Sequence, residues 1–117
     1  MPEAIVTSPI AIVNARVATG DPRRPWADAL LVREGRFVLV GSSAEVKKLA
    51  SADVRVIDAR RQLVTARPDA RAAGHVIARG EPASCVIVRG EAAGAGEDDM
   101  LLELVDGRVV RDRMDDR

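Results

Sequence analysis

Apolar and polar positions along the chain fall into short β-type runs separated by turn residues, a pattern that predicts a mainly β sandwich or small barrel-like domain rather than alternating β/α units. Ile10–Ala18 is the first expected strand. The following Gly20-Asp21-Pro22-Arg23-Arg24-Pro25-Trp26 carries two prolines that cannot donate to a ladder, so it is expected to be a connecting loop. Ala29–Val40 is the clearest hairpin: Glu34-Gly35 interrupts two aliphatic runs, and glycine tolerates the positive φ of a tight turn. Because successive strand side chains point to opposite faces, Phe37 and Leu39 should face one way and Val38 and Val40 the other. Both faces of this hairpin are apolar. One belongs in the core and the other needs a cover.

Ser42-Ser43-Ala44-Glu45 has the form of a capping box, in which the Ser42 hydroxyl and the Glu45 carboxylate satisfy each other's backbone donors. Val46, Leu49 and Ala50 follow at helical spacing, which predicts one short helix over about Ser43–Ala50 with an apolar stripe for the sheet. Arg55–Asp58 and Gln62–Thr65 return to strand. Arg67–Gly74 is polar, small and proline-containing, and is taken as a seam between two halves of one domain, about 10–66 and 75–111 of residues 1–117. The second half is expected to hold strands at His75–Ala78, Cys85–Arg89 and Leu101–Val105, the last paired with Arg108–Arg111 across Asp106-Gly107. Glu91–Asp99 is expected to be a flexible loop and Asp112–Arg117 a fraying tail. The run around Glu34-Gly35 echoes the one around Asp106-Gly107, a turn recipe too common to establish a repeat.

Length changes the picture, because 117 residues hold one domain while a (β/α)₈ barrel takes about 250. The 47% hydrophobic content against 31% charged suffices for a core. Eighteen basic and eighteen acidic side chains cancel, so no overall field draws the chain to nucleic acid or an anionic membrane. No apolar run approaches the roughly 18 residues of a membrane span, and Met1–Ser8 lacks the basic start of a signal peptide. A cytoplasmic protein is expected.

Candidate chemistry is sparse. Cys85 is the lone cysteine and sits in an apolar run, where a thiol usually serves as a small buried hydrophobe. His75 is the lone histidine, whereas a catalytic zinc site takes three converging protein ligands. Ser84 has no base nearby in sequence to activate it. Gly94-Ala95-Gly96 leads into Glu97-Asp98-Asp99, which would repel phosphate and lacks the spaced ligands of a calcium loop. No catalytic, cofactor-binding or metal-ligating residue is therefore assigned, and no cofactor is expected.

Val13–Gly20, Ala27–Gly41 and Val56–Ala59 followed by Leu63-Val64-Thr65 resemble the amino-terminal part of the metal-dependent amidohydrolases. Gly80–Val88 and Leu101–Arg111 resemble that family's carboxy-terminal return. The resemblance implies the small composite β-sandwich that the two chain ends form beside a metal-bearing catalytic barrel. It also implies that the paired histidines which supply the family's first metal ligands correspond here to Arg71 and Ala73, neither of which ligates a metal. The expected function is thus a noncatalytic sandwich serving assembly or protein interaction, as a homodimer or with an unidentified protein partner. Its expected interface is one face of the hairpin, with Leu30, Val32, Val38 and Val40. The alternative is a fragment or accessory subunit of an amidohydrolase-like enzyme acting on non-peptide carbon–nitrogen bonds, active only with a separate barrel.

Overall fold

Alternation in the first strand sends its side chains into two different layers, and that division organises the molecule. In the computed structural model, which describes residues 9–89 and 100–114, β1 (Ile10–Val13) turns Ile10 and Ile12 toward the centre and Ala11 and Val13 toward an outer layer. At Asn14, held at a φ of 54°, the chain bends and continues as β2 (Arg16–Ala18) in a second sheet. The expected single strand Ile10–Ala18 is therefore two strands. The bend is tied down by the Asn14 amide, which donates to Ser43 Oγ at 2.9 Å, and by the Ala15 amide, which donates to the Asp28 carbonyl at 2.8 Å.

After β3 (Trp26–Ala27) come β4 (Ala29–Arg33), β5 (Arg36–Gly41), α1 (Ser43–Leu49), β6 (Arg55–Asp58) and β7 (Leu63–Ala66). The second half adds α2 (Pro68–Ala72), β8 (Cys85–Val88), β9 (Met100–Val105) and β10 (Arg108–Asp112). A four-stranded sheet runs β5-β4-β1-β6 and a six-stranded sheet runs β10-β9-β8-β7-β2-β3. The β6–β7 passage repeats the crossing made by β1–β2, so β1 pairs parallel with β6 and β2 with β7. The expected mainly β sandwich is what the chain forms.

Between the sheets lies the main core, which draws Ile12, Val17, Leu30, Phe37 and Val64 from the first half and Ile77, Ile87, Leu102 and Leu104 from the second. The halves join where β7 pairs antiparallel with β8, from Leu63 opposite Val88 to Ala66 opposite Cys85. On the outside of the four-stranded sheet, α1 lays Val46 on Ala11, Val13, Ala29 and Leu31. Its capping box is formed as the sequence suggested, with the Glu45 amide donating to Ser42 Oγ at 3.1 Å and the Ser42 amide to Glu45 Oε1 at 2.9 Å.

Several expectations are corrected. The β4–β5 register slips between Leu31 and Val32, with Leu31 opposite Leu39 and Val32 opposite Phe37, so Val38 is the extra residue of a bulge. Beyond the bulge the alternation is out of phase: Phe37 and Val40 face the main core, while Leu39 faces the α1 layer. The seam contains a second helix, α2, started by Pro68 in its first turn and lacking a side-chain cap. His75–Ala78 is not a strand. It runs between Gly74 and Gly80, both at positive φ, and the Ile77 amide donates to the Thr19 carbonyl at 2.8 Å instead of entering a ladder. Trp26, expected in a loop, opens β3. Asp112 is no frayed residue but the end of β10, ion-paired with Arg55 of β6 across the terminal strands of the two sheets. The hydrogen bond from Arg55 holds the Asp112 carboxyl below its ordinary range. The loop expected at Glu91–Asp99 lies outside the described residues, as do Met1–Ser8.

One end of the sandwich is closed by the chain on its way into β8. Gly80 donates to the Phe37 carbonyl at 2.8 Å and Phe37 to the Glu81 carbonyl at 3.0 Å, which pins this segment to β5. Ala83 then donates to the Gly35 carbonyl and accepts from the Gly107 amide, both at 2.9 Å. The hairpin turns Glu34-Gly35 and Asp106-Gly107, each with positive φ at both residues, meet through Ala83. The two echoing sequence runs are thus brought tip to tip.

Candidate functional site

Among the described residues, the thiol is sealed in the core and the Ser84 hydroxyl is engaged at the closed end. Cys85 opens β8 and is 1% exposed, and burial pushes its thiol up to about 12, which keeps it protonated and unreactive near neutral pH. Ser84 Oγ accepts the Asp106 amide at 3.0 Å, so the hydroxyl stabilises the second hairpin turn. The Asp106 carboxylate stands 3.5 Å from the same Oγ, but no histidine joins them. His75 is exposed, and its Nδ1 lies 3.0 Å from Glu81 Oε1. Among the described residues no group of three His, Cys, Asp or Glu side chains stands close enough to hold a metal ion. Arg71 lies on α2 and Ala73 is its C-terminal cap, and both are exposed to solvent. Gly94–Asp99, considered for phosphate or calcium, falls outside the described residues.

The outer face of the seam carries an ion-pair cluster that the sequence did not reveal. Glu103 of β9 lies 3.1 Å from Arg67 Nε and 3.6 Å from Arg111 Nε. Arg67 Nε is buried and also 3.3 Å from Asp69, yet it makes no well-aligned hydrogen bond to either carboxylate. We regard the pairing as charge contact rather than hydrogen bonding, holding the start of α2 to β9.

The residues expected to form an interface separate. Leu30 and Val32 are 0% and 1% exposed inside this chain's own core, because the other sheet covers one face of the hairpin and α1 the other. They are unavailable to a partner. Val38, at the bulge, is 36% exposed. Val40 is half-buried and lines a cleft of about 280 Å³ between the Asp21–Arg24 loop, β5 and Ile77–Arg79. That cleft brings polar and apolar side chains together from distant parts of the sequence.

Thr19 builds the cleft's walls. Its side chain is buried, and its Oγ1 accepts the Asp21 amide at 3.0 Å and donates to the Arg24 carbonyl. Its own amide donates to the Pro25 carbonyl at 3.1 Å, and its carbonyl accepts from Ile77. A single buried threonine with its hydrogen-bonding groups satisfied thereby fixes the arginine-bearing loop and the Ile77–Arg79 segment to each other.

No protein-family profile matches the chain. The N-substituted formamide deformylase of Arthrobacter pascens is 43% identical over 49 residues, 42% of this chain and 9% of the deformylase. Among solved structures, an enamidase of the amidohydrolase superfamily is 32% identical at a TM-score of 0.43, over 50% of this chain and 16% of the enamidase. An uncharacterised metal-dependent hydrolase from Pyrococcus horikoshii is 22% identical at a TM-score of 0.45, over 50% of this chain and 13% of that one. The chain thus spans a small part of each protein it matches. The proteins it matches are a formamide deformylase and metal-dependent hydrolases, the kind of protein that the residues around Val13–Gly20 and Ala27–Gly41 suggested.

Proposed function

We propose that this chain is a noncatalytic β-sandwich related to the amidohydrolases, a structural module and not itself a hydrolase. The observation that supports this most directly is the use already made of its reactive side chains: the thiol is sealed, the Ser84 hydroxyl caps a turn, and the lone histidine pairs with Glu81 at the surface. The purified protein is expected to carry no stoichiometric transition metal and to hydrolyse no N-substituted formamide or cyclic imide. Elemental analysis with a turnover assay checks this, and one tightly bound zinc ion per chain would refute it.

A module without chemistry acts through contact, and we extend the proposal to assembly with a second copy or another polypeptide. Supporting this are the apolar side chains left exposed at Val38 and, on the terminal strands β6 and β10, at Val56 and Val110. Light scattering at micromolar concentration is expected to give a mass above the 12.5 kDa of one chain. A clean monomer would remove self-assembly while leaving the noncatalytic reading intact. The deformylase match supports a second reading, in which the chain completes a carbon–nitrogen hydrolase together with a separate barrel. Formamide hydrolysis appearing only when such a barrel is co-expressed would select it.

A further inference from the structure

The cleft of about 280 Å³ has a distribution of charge and apolar surface that neither assembly nor the closure of the sandwich uses. Its apolar lining includes the half-buried Val40 of β5 and Ala78 with the buried Ile77, and it is bordered by Leu39, whose side chain packs in the α1 layer. Around this lining stand Arg23 and Arg24 from one segment and Arg79 from another more than fifty positions later in the chain. Asp21 is the only acidic residue in the lining, so the three arginines leave it with a net positive charge.

The aspartate does not neutralise them by direct pairing. Its Oδ1 accepts the Arg23 backbone amide at 2.9 Å, which shapes the loop. Arg24 leans toward Glu45, whose carboxyl is held below its ordinary range chiefly by hydrogen bonds from Ser42 and in smaller part by this guanidinium. Arg23 and Arg79 have no carboxylate within ion-pair distance among the described residues. Guanidinium groups recognise planar carboxylates through paired N–H donors, and an apolar lining rewards a hydrocarbon group beside the charge. The volume lies just below the roughly 300–1,000 Å³ of drug-sized ligand sites, which suits only a small ligand. Thr19 holds both walls in place, which spares a ligand the cost of ordering them.

We propose that this cleft binds a small organic anion, a carboxylate carrying a short aliphatic group, with the anion on Arg23 and Arg79 and the hydrocarbon on Val40 and Ala78. This inference is independent of the noncatalytic reading. For so small a ligand at a solvent-open site, the dissociation constant is expected on the order of a millimolar.

The test is a titration of the full chain, methyl-labelled at Ile, Leu and Val, with hexanoate, hexylamine, hexanol and inorganic phosphate. Hexanoate is expected to give saturable shifts of the Val40 methyls and of the neighbouring Ile77 methyls, while hexylamine, hexanol and phosphate give none in the same range. Arg79→Gln and Arg23→Gln, both at exposed positions, should each weaken hexanoate at least about fivefold with the rest of the spectrum unchanged, and Arg79→Lys should recover part of the loss. Equal shifts with hexanol would show a merely greasy surface, and phosphate binding as well as hexanoate would show an ion site with no use for the apolar lining. Either result, the absence of saturation, or indifference to both glutamine variants would overturn the proposal.

Discussion

Replacing Gly107 by alanine is expected to cost about 2–5 kcal/mol, a large share of the roughly 5–15 kcal/mol that holds a domain folded. Two effects add at this position. Gly107 sits at a φ of 81°, where a side chain costs about 1–2 kcal/mol by itself. An added Cβ would also stand 2.7 Å from the Gly35 Cα and 3.1 Å from its nitrogen. Those are backbone atoms of the facing hairpin turn, so no rotamer change relieves the contact, and forcing the turns apart adds about 1–3 kcal/mol. It would also strain the bonds through which Ala83 joins both turns.

Gly80 provides the control. It has a φ of 92° and nothing within 4 Å of an added Cβ, so Gly80→Ala should show the conformational cost alone, about 1–2 kcal/mol. Urea denaturation of both variants separates the terms. Equal losses of stability would mean that the two turns do not press on each other in solution.

That contact illustrates what a sequence reveals and what it withholds. Each two-residue turn was legible, since Glu34-Gly35 and Asp106-Gly107 each interrupt apolar runs, and so was α1 through its capping box. These are local signals, carried by residues within a few positions of each other. The meeting of the turns was not legible, because it depends on Ala83 bridging segments about seventy residues apart. The bulge at Val38 escaped for a different reason: Phe37-Val38-Leu39-Val40 is apolar throughout, and an unbroken apolar run has no alternation from which to locate a phase change. That error put Leu30 and Val32 in a proposed interface when they belong to the core. In α2, five residues are too few to show helical periodicity, and Arg67 supplies no capping hydrogen bond. The cleft was hidden in the same way as the turn contact. In the sequence Arg23 and Arg24 are only part of a proline-containing loop, and Thr19 brings the Ile77–Arg79 segment beside them.

Separating the halves is expected to abolish folding. The four-stranded sheet comes wholly from residues before Ala66, so a fragment of residues 1–66 retains β1, β4, β5, β6 and α1 with their local pairings. The six-stranded sheet does not survive, since β8, β9 and β10 are lost and β7 becomes an open edge. The main core loses the side chains of Ile77, Ile87, Leu102 and Leu104, all less than 2% exposed. At about 1.5–3 kcal/mol for each large aliphatic side chain buried, those four alone contribute roughly 6–12 kcal/mol, comparable to the entire stability of a domain. Ile12, Val17, Leu30 and Val64 would meanwhile face water where the second half had covered them. The fragment should therefore be insoluble or lack a cooperative thermal transition, and mixing it with residues 75–117 should restore the transition if the β7–β8 pairing nucleates the join. A sharply melting 1–66 fragment would place the stability in the four-stranded sheet and α1, and would make the second half an appendage rather than one side of a shared core.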